Sequence, residues 1–153
     1  MLTEKALIKT GISQYGIISP TNIVFRNEIR KICEGNSCRL YGKTWACPPA
    51  VGTVEECRER CLHYANAMVF NAVYYLEDSF DYEGMIAGHG EFKKLCDTIY
   101  NLMKNEQTKF LLLSNEGCNR CKVCTYPESV CRMPQLLFPS LEGYGINVME
   151  LAE

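Results

Sequence analysis

The chain has 153 residues, 47% of them apolar, a formal net charge of −2 and a pI near 5.8. That length suits one domain, which would bury about 70% of the surface its unfolded form exposes, and the weak acidity argues against nucleic acid as a partner, since phosphate binding wants a basic surface. No apolar run reaches the roughly 18 residues of a bilayer crossing, and Met1-Leu2-Thr3-Glu4-Lys5 lacks the basic start and apolar stretch of a secretory leader; a single cytoplasmic domain over 1–153, away from any membrane, is expected.

In chain order, residues 2–14 have helical character, with Leu2, Ala6 and Leu7 on one side. Tyr15 to Ile18 is short, apolar and β-branched, as a strand would be. Ser19-Pro20 reads as a helix start, serine as N-cap and proline at the first helical position. The helical stretch through Glu28, Ile29 and Ile32 carries Cys33 near its end. A loop rich in turn formers covers 34–52. Thr53-Val54-Glu55-Glu56 is a capping box that should open a helix running to about Tyr64.

Residues 67–76 form an apolar, partly alternating run that predicts a central strand. A long helix over about 82–105 and a second buried strand at 109–113 follow. That strand–helix–strand order predicts a parallel, right-handed βαβ unit. Thr125-Tyr126-Pro127-Glu128 reads as a second capping box, opening a short helix that presents Cys131, and a last helix covers 141–152. The expected fold class is α/β or α+β: a small sheet with the βαβ unit, flanking helices, and cysteine-rich metal-binding loops at one end.

Ten cysteines are the deciding feature. In a reducing compartment such a count reads as metal binding or redox chemistry rather than as a disulfide framework. Charge supports this. Residues 28–50 carry a balance of +2 and residues 115–134 of +1, leaving −5 for the rest of the chain. Both positive windows are the cysteine-rich ones, and gathered thiolates need compensating charge.

The strongest motif is Cys118-x2-Cys121-x2-Cys124. Two-residue gaps let one loop curl so that three sulfurs converge, as in the C-x2-C-x2-C core of bacterial ferredoxins. Mononuclear zinc more often uses two separate C-x2-C pairs, so three thiolates within seven residues favour iron–sulfur chemistry. Cys131 follows after six residues and either closes the same cluster or ligates a second one. The second motif is Cys33-x4-Cys38-x8-Cys47-Pro48-Pro49. Here Pro48 extends the backbone at Cys47, while Tyr41 and Trp45 are placed to shield a bound group from water.

These seven cysteines are the candidate ligands, one short of two fully ligated cubanes. One cluster would then take another ligand, keep an open iron suited to catalysis, or recruit a helix cysteine. Cys57 and Cys61, four apart on the helix expected after Thr53, read as core, as does Cys96 among Phe92, Leu95, Ile99 and Met103. Neither His63 nor His89 sits in a zinc-hydrolase pattern, and the chain contains no P-loop, G-x-G-x-x-G or G-x-S-x-G motif. No acid–base pair stands out, so enzyme status is left open, as is oligomeric state.

Together, Cys33…Cys38-x2-Tyr41-Gly42-Lys43-x-Trp45-x-Cys47-Pro48-Pro49, then Cys118-x2-Cys121-x2-Cys124-x6-Cys131-Arg132-x-Pro134, then Pro139-Ser140-Leu141-Glu142 resemble a bacterial and archaeal family of cysteine-rich, predicted metal-binding proteins catalogued as a domain of unknown function. The resemblance extends over about residues 15–150 and implies metal binding through these cysteines, with no reaction to transfer. The expectation is a protein with one or two 4Fe-4S clusters that transfers electrons or supports a redox protein partner. The alternatives are a zinc-stabilised interaction module without redox chemistry and an enzyme with an open cluster iron.

Overall fold

A computed structural model describes residues 4–35, 39–106, 109–115, 118 and 120–152. It has a mixed α/β fold with five helices and a two-stranded antiparallel sheet among those residues. The chain divides into two compact units, Met1–Ile18 with Met68–Phe110, and Ser19–Ala67 with Leu111–Glu153.

The first unit holds helix α1 (Glu4–Lys9), strand β1 (Gln14–Ile18), all but the first residue of strand β2 (Ala67–Asn71) and the long helix α4 (Tyr82–Lys104). Asp81 starts α4 by accepting the Gly84 amide at 2.9 Å, which satisfies one of the donors a helix N-terminus leaves orphaned. Leu95, Cys96 and Ile99 share the buried stripe of α4, and Phe70 of β2 stacks on Phe92 at 6.0 Å. Cys96 is core, as its helical spacing predicts.

The sheet differs from the βαβ expectation. β2 pairs with β1, and residues 109–113 form no strand. Their apolar pattern reports burial, since Leu111 and Leu113 pack on a core cluster, but their neighbour Ser114 makes only a single bridge, to Ser140. β2 also ends at Asn71 rather than continuing to Leu76. The Val73 amide donates to the Ser13 hydroxyl at 2.8 Å, so a side chain takes the place of a ladder partner. Tyr75 is 94% exposed.

The second unit holds helices α2 (Asn27–Glu34), α3 (Val54–Leu62) and α5 (Val148–Ala152), joined by long loops. Ser19 does cap a helical segment, but only a 3₁₀ turn, Pro20–Asn22; α2 begins separately at Asn27. The box at α3 forms as predicted: Thr53 Oγ1 accepts the Glu56 amide at 3.1 Å, and Glu56 Oε1 accepts the Thr53 amide at 3.1 Å. At the other end of the chain the expected helix shrinks to α5, residues 141–145 being turns.

The core of this unit is Val51, Cys57, Cys61, Tyr144 and Ile146, with Ile23, Phe25 and Leu141 among the partly buried residues around it. Two guanidinium groups brace it. Arg30 donates to the Gly143 carbonyl (2.9 Å) and Cys57 Sγ (3.6 Å), and Arg60 to the Val51 carbonyl (2.6 Å) and Tyr144 Oη (3.2 Å). Cys57 and Cys61 are therefore core residues, as their stripe on α3 predicts.

Candidate metal centre

The described residues from Arg120 to Met133 form an irregular loop that leads into the 3₁₀ turn Pro134–Leu136, and side chains reach back to its backbone. Arg120 Nε donates to the Leu136 carbonyl at 2.5 Å, and its guanidinium lies over the Phe138 ring at 4.9 Å. Arg132 Nη1 donates to the Val123 carbonyl at 2.9 Å, which ties the residue after Cys131 to the residue before Cys124. Thr125 Oγ1 donates to the Val130 carbonyl at 2.9 Å. Thr125 is thus not a helix cap. Its hydroxyl is committed to Val130, so residues 126–128 form a turn in place of the expected short helix.

These ties produce one cavity. Cys118, Cys121, Cys124 and Cys131 all line it, together with Arg120, Arg132, Met133 and Leu137. Each of the four cysteines is half-buried. Trp45 completes the wall from the other cysteine-bearing loop. Its indole Nε1 donates to Thr125 Oγ1 at 3.2 Å and to the Ser129 carbonyl at 3.1 Å. The ring meets Tyr126 edge-on, centroids 4.8 Å apart and planes at 89°.

The donor set suits a thiophilic group. Four cysteines supply soft sulfur, two guanidinium groups offset thiolate charge, and Met133, Leu137 and Trp45 limit water. No carboxylate is among the described lining residues, whereas a hard cation such as calcium takes several oxygens. No three His, Cys, Asp or Glu side chains among the described residues form a group that could hold a metal ion. The thiols surround a shared space without closing on one point.

The first cysteine loop is built on tight backbone turns. Gly42, at φ +70°, donates its amide to the Pro48 carbonyl at 2.8 Å, folding 42–48 back on itself; a left-handed residue there favours glycine. The Ser140 amide donates to the Ala46 carbonyl at 3.2 Å, which docks the loop on the 138–146 segment. Cys47 is buried and Cys33, in α2, is half-buried. Cys38 lies outside the described residues. Thr44 Oγ1 is buried without a hydrogen-bond partner among the described residues, which is the kind of orphan a bound group satisfies. No disulfide joins the nine described cysteines.

Five lining residues lie beyond the cysteines predicted as ligands and the aromatic predicted as a shield: Arg120, Thr125, Arg132, Met133 and Leu137. Arg120 and Arg132 were visible as a local positive charge balance. Thr125 carried a misleading signal, because its spacing to Glu128 is that of a cap.

Residues 16–153 match a family model described as "Predicted metal-binding protein (DUF2284)", and the chain belongs to that family. No curated protein and no solved structure matches the chain.

Proposed function

We propose that this member of the DUF2284 family is a cytoplasmic iron–sulfur protein that passes electrons to a redox protein partner. Cys118, Cys121, Cys124 and Cys131 would hold one 4Fe-4S cluster, and Cys33, Cys38 and Cys47 would contribute to a second. The observation that carries the reading is the shared cavity: four cysteines spread over fourteen residues of sequence line a single space with basic and apolar walls.

The sequence spacing of the cysteines supports a cluster over a single zinc ion, since three thiolates lie within seven residues of one loop whereas mononuclear zinc more often uses two separate C-x2-C pairs. Tetrahedral zinc, with Zn–S bonds of about 2.3 Å, holds its sulfurs about 3.8 Å apart. In a cubane each thiolate binds its own iron, so the ligands ring a larger volume. When bound, the cluster would supply one-electron chemistry; the chain's own residues would set its potential. Arg120 and Arg132 add positive charge and hydrogen-bond donors beside the sulfurs, and Trp45, Met133 and Leu137 hold water back. At the second set of cysteines, the unpartnered Thr44 hydroxyl has a donor to give to sulfur near Cys47.

Cys57 and Cys61 sit in the core cluster, so an eighth cysteine ligand from α3 would require that core to open. The reading therefore favours one position filled by another ligand or left to a small molecule.

The test is anaerobic purification followed by iron, sulfide and zinc analysis and electron paramagnetic resonance of the reduced protein. Expected are iron and acid-labile sulfide in equal amounts and a visible band that bleaches on reduction. Serine at Cys118, Cys121 or Cys124 should remove one cluster's worth of both. Colourless protein with stoichiometric zinc and no sulfide would overturn the iron–sulfur assignment in favour of a zinc-stapled module.

A further inference from the structure

Trp45 is the chain's single tryptophan, and it is neither part of the core cluster of its unit nor free on the surface. Its indole is half-buried, contributes a wall to the four-cysteine cavity, and spends its N–H on both ends of the turn that separates Cys124 from Cys131. Within that turn the Ser129 amide donates to the Thr125 carbonyl at 3.1 Å, and the Thr125 hydroxyl donates to Val130 at 2.9 Å. A hydroxyl has one proton and two lone pairs. With its proton directed to Val130, Thr125 Oγ1 offers a lone pair to Trp45, and the two bonds order each other.

The separation of Cys124 and Cys131 thus rests on several ties. Three are internal to the loop, Ser129 to Thr125, Thr125 to Val130 and Arg132 to Val123. Another comes from outside the loop, from Trp45, whose neighbour Ala46 is itself held by the Ser140 amide at 3.2 Å. A core role would bury the ring among aliphatic side chains. Here its aromatic neighbour is Tyr126, edge-on, inside the same turn.

We propose that Trp45 is the positioning residue of the four-cysteine site. It fixes the turn between Cys124 and Cys131 through its N–H and closes the cavity with its ring, so it governs how tightly a bound metal is retained. The proposal rests on the metal-binding reading above. Residues that orient ligands without touching the metal are worth about 10- to 100-fold in metal affinity, and the effect here falls on release, because the ring forms one wall of the cavity.

The experiment uses the full chain, reconstituted anaerobically with iron and sulfide, in wild-type form and as Trp45→Phe, Trp45→Leu, Thr125→Ser and Thr125→Val. Three quantities are read: metal content after loading, the rate of iron loss to excess chelator, and the melting temperature of the metal-free protein. Wild-type tryptophan emission is followed through loading, where a single indole leaves no ambiguity of source. Expected is emission that changes in step with metal content. Trp45→Phe, which keeps a ring but has no N–H, should load to the same content and lose iron about tenfold faster. Trp45→Leu should be faster still. Thr125→Ser, which keeps the acceptor, should behave as wild type, and Thr125→Val as Trp45→Phe. The melting temperature of the metal-free protein should shift little in Trp45→Phe.

Unchanged iron loss in both Trp45 variants would overturn the proposal. So would faster loss matched by an equal fall in metal-free stability and not spared in Thr125→Ser, since that is the signature of general unfolding. Wild-type protein that takes up no metal would overturn the proposed function and this inference with it, and that result is read at the loading step, before any variant is compared.

Discussion

Cys57 and Cys61 show how burial decides what a thiol does. Cys57 has no exposed surface and donates its S–H to the Val51 carbonyl at 3.4 Å. Burial pushes its pKa up, against the pull of Arg30 and Arg60. Burial, and then the neighbouring Cys57, push the Cys61 thiol up to about 11. Both stay protonated and closed to reagents near neutral pH, whereas the thiolate is the reactive species. In metal-free reduced protein, a thiol alkylating reagent should modify Cys118, Cys121, Cys124 and Cys131 well before Cys57 and Cys61, as read by peptide mass spectrometry. Equal rates would show that the core opens freely. The raised pKa also gives stability a sign with pH. Above an unfolded thiol pKa of about 8.5, the unfolded chain loses protons that the folded chain keeps, so stability declines as pH rises from there towards about 11. The urea midpoint should fall over that window, and fall less in Cys61→Val, which nearly conserves volume.

At the scale of elements, the start of α3 is fixed twice. The Thr53–Glu56 box closes its start, and Gly145, at φ +84°, passes so close that a Cβ there would meet Val54 Cγ1 at 3.0 Å and the Arg26 carbonyl at 3.1 Å. The Arg26 amide donates to the Gly145 carbonyl at 2.7 Å, so neither backbone can retreat without losing that bond. Thr53→Ala should destabilise by about 1 kcal/mol through the lost cap. Gly145→Ala should cost more than that, because a left-handed backbone and a steric clash add. Thermal melts of the two variants rank them, and a milder Gly145→Ala would mean that the 144–146 segment shifts readily. The same segment carries Tyr144 onto the Arg60 guanidinium, centroid distance 5.7 Å, so its displacement would also loosen the core around Cys57.

For the whole molecule, cysteine is distributed unevenly between the units. Every described cysteine except Cys96 lies in the Ser19–Ala67 and Leu111–Glu153 unit. Metal removal should therefore be felt there. Its described candidate ligands other than Cys33 sit in long loops, whose stability comes from few backbone hydrogen bonds and so depends on whatever the side chains bind. Hydrogen exchange before and after chelation should speed up in 118–137 and 39–50 and leave the centre of α4 unchanged. Equal deprotection of α4 would mean that the chain unfolds as one cooperative body. No described helix is long and apolar enough to cross a membrane.

Much of this was legible from residues alone wherever the physics is local. The Thr53 box, the length of α4 and the core stripes of Cys57, Cys61 and Cys96 all depend on neighbours a few positions apart, and each has the form its sequence predicts. Tertiary structure decided the rest. Residues 109–113 are apolar enough for a strand but have no ladder partner among the described residues, because an apolar pattern encodes burial and not the identity of the hydrogen-bond acceptor. Thr125 abandons its cap for a carbonyl and an indole 80 positions away. That one long-range bond makes Trp45 a wall of the cavity, and a contact across such a separation leaves no periodic trace in the sequence.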